Sequence, residues 1–306
     1  MTTEARPAVG VAAASREAPA DVRGGAPLGY RLWRVRYGLV GAVIVLAVLS
    51  CAFLAPWLAP HDPYRGVVSQ RLIPPAWEAK GSASNLLGTD QVGRDYLTRI
   101  IFGSRVSLAA GFLSTVLAAL IGIPLGVTAG FFGGKWDGFV SFAVNVMLAF
   151  PGVLLALAVI SMLGPSFLNL ILVLGITSWP LYTRVVRTEV MSYREQEFTT
   201  AARGIGGTQG RIILRHIFPN LASTILVVST LEVAHNILRE AFLSFLGLGV
   251  QPPIPSWGGM LSEGRTYMLN LWWLAAFPGI AIFATTLGIN LLGDSLRDFL
   301  DPHQTS

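Results

Sequence analysis

Glu232, His235, Asn236, Arg239 and Glu240 recur at three- and four-residue steps, which puts them on one face of a helix. Two carboxylates, an imidazole, an amide and a guanidinium at that spacing can bridge and hydrogen-bond one another. Glu232–Asn236 and Asn236–Glu240 lie within reach along a helix, and Arg239 can neutralise a nearby carboxylate. The surrounding run, 221–248, is otherwise apolar. Ionisable groups at membrane depth cost about 3 kcal/mol each, so they face a protein interior or a wet cavity. Two roles remain open for this stripe. It either fastens this chain to a neighbouring membrane subunit or locks an external gate, or it lines a polar passage.

No other residues suggest bond-making chemistry. The closest approach to a phosphate-binding loop, GFFGGKW at 130–136, has Ala129 where the first glycine is needed and Trp136 where Ser or Thr should follow the lysine. Its glycines suit a tight turn instead. His61, His216, His235 and His303 are scattered, and Cys51 is the single cysteine, so neither metal-ligand spacing nor an internal disulfide is available. The expectation is no catalytic residue, no metal and no cofactor held by this chain.

The elements that must position these residues are membrane spans. With 53% hydrophobic and 13% charged residues in 306, the composition does not fit a soluble globular domain. Six apolar runs are long enough to cross a bilayer, at 37–58, 106–130, 139–163, 167–182, 221–248 and 271–292. An even number puts both termini on one side. With that side inside, Lys and Arg are about twice as frequent inside as outside. The basic pI therefore reflects topology, and no basic patch for nucleic acid is evident. No internal repeat supports an inverted-repeat secondary transporter. Residues 1–30 are rich in Ala, Pro, Gly and Arg without an apolar stretch, which predicts a disordered cytoplasmic tail more than a signal peptide. A second short tail is expected at 301–306.

Two polar segments punctuate the spans. The first, at 59–105, contains NLLGTDQVGRDYLTRIIFGSRVSL. Thr89 or Asp90 can cap a helix with Tyr96, Leu97, Ile100 and Ile101 opposite Arg94, Asp95 and Arg99, a pattern that predicts a helix lying in the outer membrane interface. It either packs on its own subunit or meets a delivering partner. The second segment, at 192–220, has Ser192 and Glu195 at capping-box spacing. Phe198, Ala201, Ala202 and Ile205 form one small apolar stripe, Gly204, Gly206 and Gly207 stop the helix, and a further helical stretch from Arg211 runs to Pro219.

Three stretches carry a resemblance: LLGTDQVGRDYLTRIIFGSRVSL at 86–108, the segment at 192–220, and 241–303 with LSFLGLGVQPPIPSWGGML and NLLGDSLRDFLDP. Together they resemble the C-type membrane subunits of bacterial ABC importers for dipeptides, oligopeptides and related solutes. The resemblance implies an all-α integral membrane protein with six transmembrane helices and the type I importer permease (MetI-like) fold. Its first span and outer segment would occupy 31–105 and its core domain 106–300, with a coupling loop at 190–220. That loop resembles the family's "EAA" motif, whose helix docks on an ATPase subunit, so Phe198, Thr200, Ala201, Ala202, Ile205 and Gly206 become the coupling residues. Thr200 replaces the usual glutamate, which leaves packing to carry the contact. The implied partners are a second, homologous membrane subunit, two ATP-binding subunits holding ATP and Mg, and an extracytoplasmic solute-binding protein, in the inner membrane. The polar stripe could then line the path of a zwitterionic peptide. Relatives of this kind also move nickel complexes, glutathione or haem. A stand-alone secondary transporter and a non-transporting scaffold are the rival readings.

Overall fold

The computed structural model describes residues 28–300, so residues 1–27 of the tail expected at 1–30, and the tail expected at 301–306, lie outside the described residues. In chain order, α1 (Leu28–Phe53) and the short α2 (Ala55–Leu58) precede a long irregular segment. Then come α3 (Tyr96–Phe132), α4 (Gly134–Ala149), α5 (Gly152–Leu163), α6 (Phe167–Glu195), α7 (Glu197–Gly204), α8 (Gln209–Ile212), α9 (Phe218–Phe245), α10 (Trp257–Gly264) and α11 (Trp273–Leu300). Because α1 already begins at Leu28, the last residues of the expected tail are helical.

Among the described residues, five stretches are each long and apolar enough to cross a membrane: α1, α3, α6, Gln209–Phe245 and α11. The span expected at 139–163 is instead two helices, α4 and α5, bent by 85°. Pro151 causes the break, since it lacks an N–H and forces Phe150 into an extended conformation (φ −98°, ψ 137°). The described residues therefore hold five unbroken spans, and six when this bent pair is counted as one. At α3–α4, Gly133 and Gly134 take φ of +67° and +62°, which makes the predicted tight turn.

The centre of the molecule is the α3–α6 pair. Gly122, Gly126 and Gly130 present bare backbone to α6 at every fourth residue. A Cβ at Gly126 would stand 2.8 Å from the Thr183 carbonyl oxygen and 2.9 Å from Val186 Cβ. Thr183 Oγ1 donates to the Gly122 carbonyl at 3.0 Å across the contact. Such close backbone approach drives helix association where lipid removes the hydrophobic incentive. Gly126→Leu is therefore expected to cost about 1–3 kcal/mol by overpacking. Thermal unfolding of the detergent-solubilised protein reads this as a lower midpoint, and an unchanged midpoint would mean that the helices have room.

Two apolar clusters hold the rest. Ala110, Ile160, Leu170, Leu174 and Leu243 join α3, α5, α6 and α9. Val127, Phe131, Val186, Val190, Ala202, Ile212, Ile217 and Leu221 gather where α7 meets the ends of α3 and α6. At α6, 29 residues give about 43 Å, longer than the ~30 Å hydrocarbon core, so its end projects toward α7. The helical stretch predicted to stop at Pro219 continues instead. A π-helical turn, Ile213–Ile217, joins α8 to α9 and leaves Pro219 in the first turn of α9, where a missing N–H is tolerated.

Candidate functional site

In α9 the predicted stripe faces inward. Glu232, Asn236 and Glu240 are buried, while the side chains of His235 and Arg239 stay 57% and 32% exposed at its rim. Asn236 is satisfied between helices. Its Nδ2 donates to Thr115 Oγ1 on α3 at 3.0 Å, and its Oδ1 accepts from Ser178 Oγ on α6 at 3.2 Å. Arg239 Nη1 donates to Ser178 Oγ at 2.7 Å, Asn236 Oδ1 at 3.0 Å and Glu232 Oε2 at 3.3 Å. His235 Nδ1 lies 3.4 Å from Glu232 Oε1. The bonds expected along the helix, Glu232–Asn236 and Asn236–Glu240, thus give way to bonds with hydroxyls on α3 and α6. A buried amide takes whichever partners its neighbours offer. Glu240 separates from the group, its Oε1 accepting from Ser244 Oγ at 2.7 Å. The stripe is therefore a cluster of four residues plus one distinct carboxylate. Thr115 and Ser178, which complete the cluster, lie on other helices and carry no sequence signal.

The second predicted site is the short helix α7. It does not start at Ser192, which remains within α6. The chain turns at Gln196 (φ −74°, ψ 154°), and the buried Thr199 hydroxyl donates to the Tyr193 carbonyl at 2.7 Å, closing the corner. Glu195 faces solvent beside Arg194, so the expected capping box is replaced by this threonine bond. Gly206 takes φ +80° and ends the helix as expected, while the Gly207 N–H bonds to the Ala202 carbonyl at 3.0 Å.

The apolar stripe expected on α7 is divided by the fold. Ala202 turns inward into the cluster with Phe131, Val190 and Ile212, and Phe198 half-buries against Tyr193 with ring centroids 6.4 Å apart. Thr200, Ala201 and Gly206 are exposed, and Ile205 is 89% exposed. Thr199 and Ala202, three residues apart, share the buried face of α7, while Thr200 and Ala201 between them face out. Arg203 lies 5.6 Å over the Phe131 ring, and Arg194 Nη1 donates to the Phe131 carbonyl at 3.3 Å. A push on α7 therefore reaches the ends of α3 and α6 directly. Asp137 at the start of α4 pairs with Arg187 of α6, tying the broken helix to the same group.

The predicted interfacial helix is absent. Asp95 caps α3 by accepting from the Thr98 N–H at 2.8 Å, and α3 runs unbroken into the membrane span. The charged side expected to face water is buried. Asp90 Oδ2 accepts from Arg94 Nε and Arg99 Nη1, both at 2.6 Å. Glu263 of α10 accepts from Arg99 Nη1 at 2.6 Å and Nη2 at 3.0 Å, and from Arg94 Nη2 at 3.1 Å. Two cations and two carboxylates close a neutral network between the irregular segment, α3 and α10. Gly93, at φ +80°, permits it, because a Cβ there would meet the Val67 carbonyl oxygen at 2.0 Å. Among the described residues no group of three or more His, Cys, Asp or Glu could hold a metal ion.

An all-helical membrane bundle carrying a short helix outside its spans fits a transporter permease. The model of the binding-protein-dependent transport system inner membrane component matches residues 122–306, and that of the N-terminal TM domain of oligopeptide transport permease C matches 29–75. The chain belongs to this family of inner-membrane permease subunits, in its permease C branch. It is 42% identical over 264 residues to the Di/tripeptide transport system permease protein DppC of Pseudomonas aeruginosa, covering 86% of this chain and 87% of that protein. Identity is 41% with the Dipeptide transport system permease protein DppC of Alkalihalophilus pseudofirmus, covering 90% and 89%. It is 39% with the Glutathione transport system permease protein GsiD of Pectobacterium atrosepticum, covering 89% of each. Among solved structures, a chain of the MetNI methionine ABC transporter in an inward-facing conformation is similar in fold, at TM-score 0.57 and 18% identity, covering 66% of this chain and 96% of that one.

Proposed function

We propose that this chain is a membrane-spanning subunit of an ATP-driven importer for di- and oligopeptides, working by alternating access. The observation that carries this reading is about 40% identity, along nearly nine-tenths of the chain, to permeases named for di- and tripeptide transport. A second, homologous permease subunit completes the membrane passage. Two ATP-binding subunits, which hold ATP and Mg, dock below the pair of membrane subunits, one of them on α7, and an extracytoplasmic solute-binding protein delivers cargo. ATP binding draws the coupling helices together, and the anchored α3–α6 pair follows, opening the passage outward; hydrolysis resets it. The termini lie in the cytoplasm. Arg94 and Arg99, counted on the outer side, are neutralised within the fold, so the free cations are biased further inward.

In the same reading, the exposed Ala201 and Ile205 meet the ATPase, with Phe198, Thr200 and Gly206 beside them and Ala202 fixing the helix from behind. The α9 cluster of Glu232, His235, Asn236 and Arg239 lines the passage, because partly exposed cations are unsuited to lipid. Glu240 supports the outer end. The relative named for glutathione transport favours one further cargo, itself a tripeptide. Deleting the chain, with its partners intact, should abolish uptake of a labelled dipeptide, and restoring it should recover uptake. Uptake that persists without it, in a strain lacking other peptide importers, would refute the assignment.

A further inference from the structure

We infer that Arg239 is the carboxylate-recognition residue of the passage, receiving the C-terminal carboxylate of a peptide as it crosses. This deepens the peptide-import reading and rests on it. Every hydrogen bond that Arg239 makes within the described residues leaves from Nη1, so its Nε and Nη2 edge is unpaired. Asn236 and Ser178, both buried, hold Nη1 and fix the orientation of the fork. Among the described residues the one carboxylate in reach, Glu232, stands at 3.3 Å, longer than a charge-assisted bond of ~2.7–2.9 Å.

Arg99 provides the contrast within the same molecule. It meets Glu263 with two nitrogens, at 2.6 and 3.0 Å, adds Asp90 at 2.6 Å, and is fully buried. Arg99 is neutralised by two carboxylates and shut away from solvent, its Nε alone left without a partner, whereas Arg239 is held from behind, incompletely neutralised and a third exposed. A guanidinium with one open edge is shaped for a planar carboxylate. Helix side chains lean toward the N-terminus, so the head group reaches back from Arg239 toward Glu232 and the middle of the span. His235, on the same rim, offers a second polar contact. Glu232 competes for the same cation, which keeps the grip weak enough for the peptide to leave, as transport requires.

The test compares uptake of dialanine and its C-terminal amide by the complete importer in proteoliposomes, with one solute-binding protein throughout, so that the delivery protein's own preference cancels between variants. R239Q should lower the acid-to-amide uptake ratio about tenfold, the size of one charge-assisted hydrogen bond, while R239K should hold it within about threefold. E232Q removes the competing carboxylate and should raise the ratio; it decides the matter if R239Q does not insert. An R239Q complex that assembles but slows both peptides equally would overturn the inference and leave peptide import standing. Loss of the second membrane subunit from R239Q would also overturn it, by showing that a carboxylate of that subunit fills the open edge. A parent complex that imports neither peptide would overturn both readings.

Discussion

Arg99→Ala is expected to destabilise the protein by about 3 kcal/mol, because it leaves two carboxylates in a largely buried site to share one cation. Asp90 and the Arg99 side chain are each 1% exposed, and Glu263 is 17% exposed. Removing the guanidinium takes away two contacts to Glu263 and one to Asp90, leaving Arg94 to hold both. The loss should spread, since the same region fixes the outer segment: Trp257 Nε1 donates to the Ile100 carbonyl at 3.0 Å, and Tyr96 Oη to the Leu274 carbonyl at 2.6 Å. Thermal unfolding of the detergent-solubilised complex, with limited proteolysis across 59–95, would report it. Arg265→Ala is the control, an exposed cation whose contact is the Phe245 ring at 5.7 Å, and should cost under about 1 kcal/mol. Equal effects of the two changes would contradict a buried network.

Ile205→Asp is expected to cut ATP-dependent uptake about 100-fold with little effect on folding. Burying an isoleucine side chain contributes about 1.5–3 kcal/mol, and a charge in its place adds a desolvation penalty to any apolar partner groove. Position 205 is 89% exposed and has no role in the subunit's own core, so the change should act on docking alone. Ala201→Asp should behave similarly. Ala202→Asp should instead destabilise the subunit, because Ala202 packs among Phe131, Val190 and Ile212. This contrast between adjacent alanines separates a docking face from an internal one. Uptake and assembly at parent levels in both Ile205→Asp and Ala201→Asp would remove α7 from the coupling path.

The membrane bundle was legible because hydrophobic runs of span length report it directly. Its break was not, since hydropathy is blind to direction; the Phe150–Pro151 dipeptide was the local sign. The end of α6 was misplaced because Ser192 and Glu195 imitate a cap, whereas the corner is made by Thr199 bonding to a carbonyl six residues back. Arg94, Asp95 and Arg99 were expected to face solvent. Asp95 instead accepts from Asn85 and the Thr98 N–H, and the burial of the two arginines depends on Glu263, 164 residues beyond Arg99, a partner that no local periodicity reveals. The α9 cluster was legible as a set of polar residues at helical spacing. Its partners were not, because Thr115 and Ser178 are unremarkable residues until α3 and α6 bring them alongside Asn236.

The docking of an ATPase on α7 is tested most directly by cross-linking. Cys51 is the single cysteine, so a Cys51→Ser background allows a unique thiol at Ile205→Cys. A short thiol-to-amine cross-linker should then join this chain to a co-expressed ATP-binding subunit, with a yield that changes when ATP is added. A thiol placed at Val190, at 0% exposure, should give no product. If ATP-binding subunits co-purify with the complex yet position 205 never cross-links to them, in the presence or absence of ATP, α7 is not where the ATPase engages the permease.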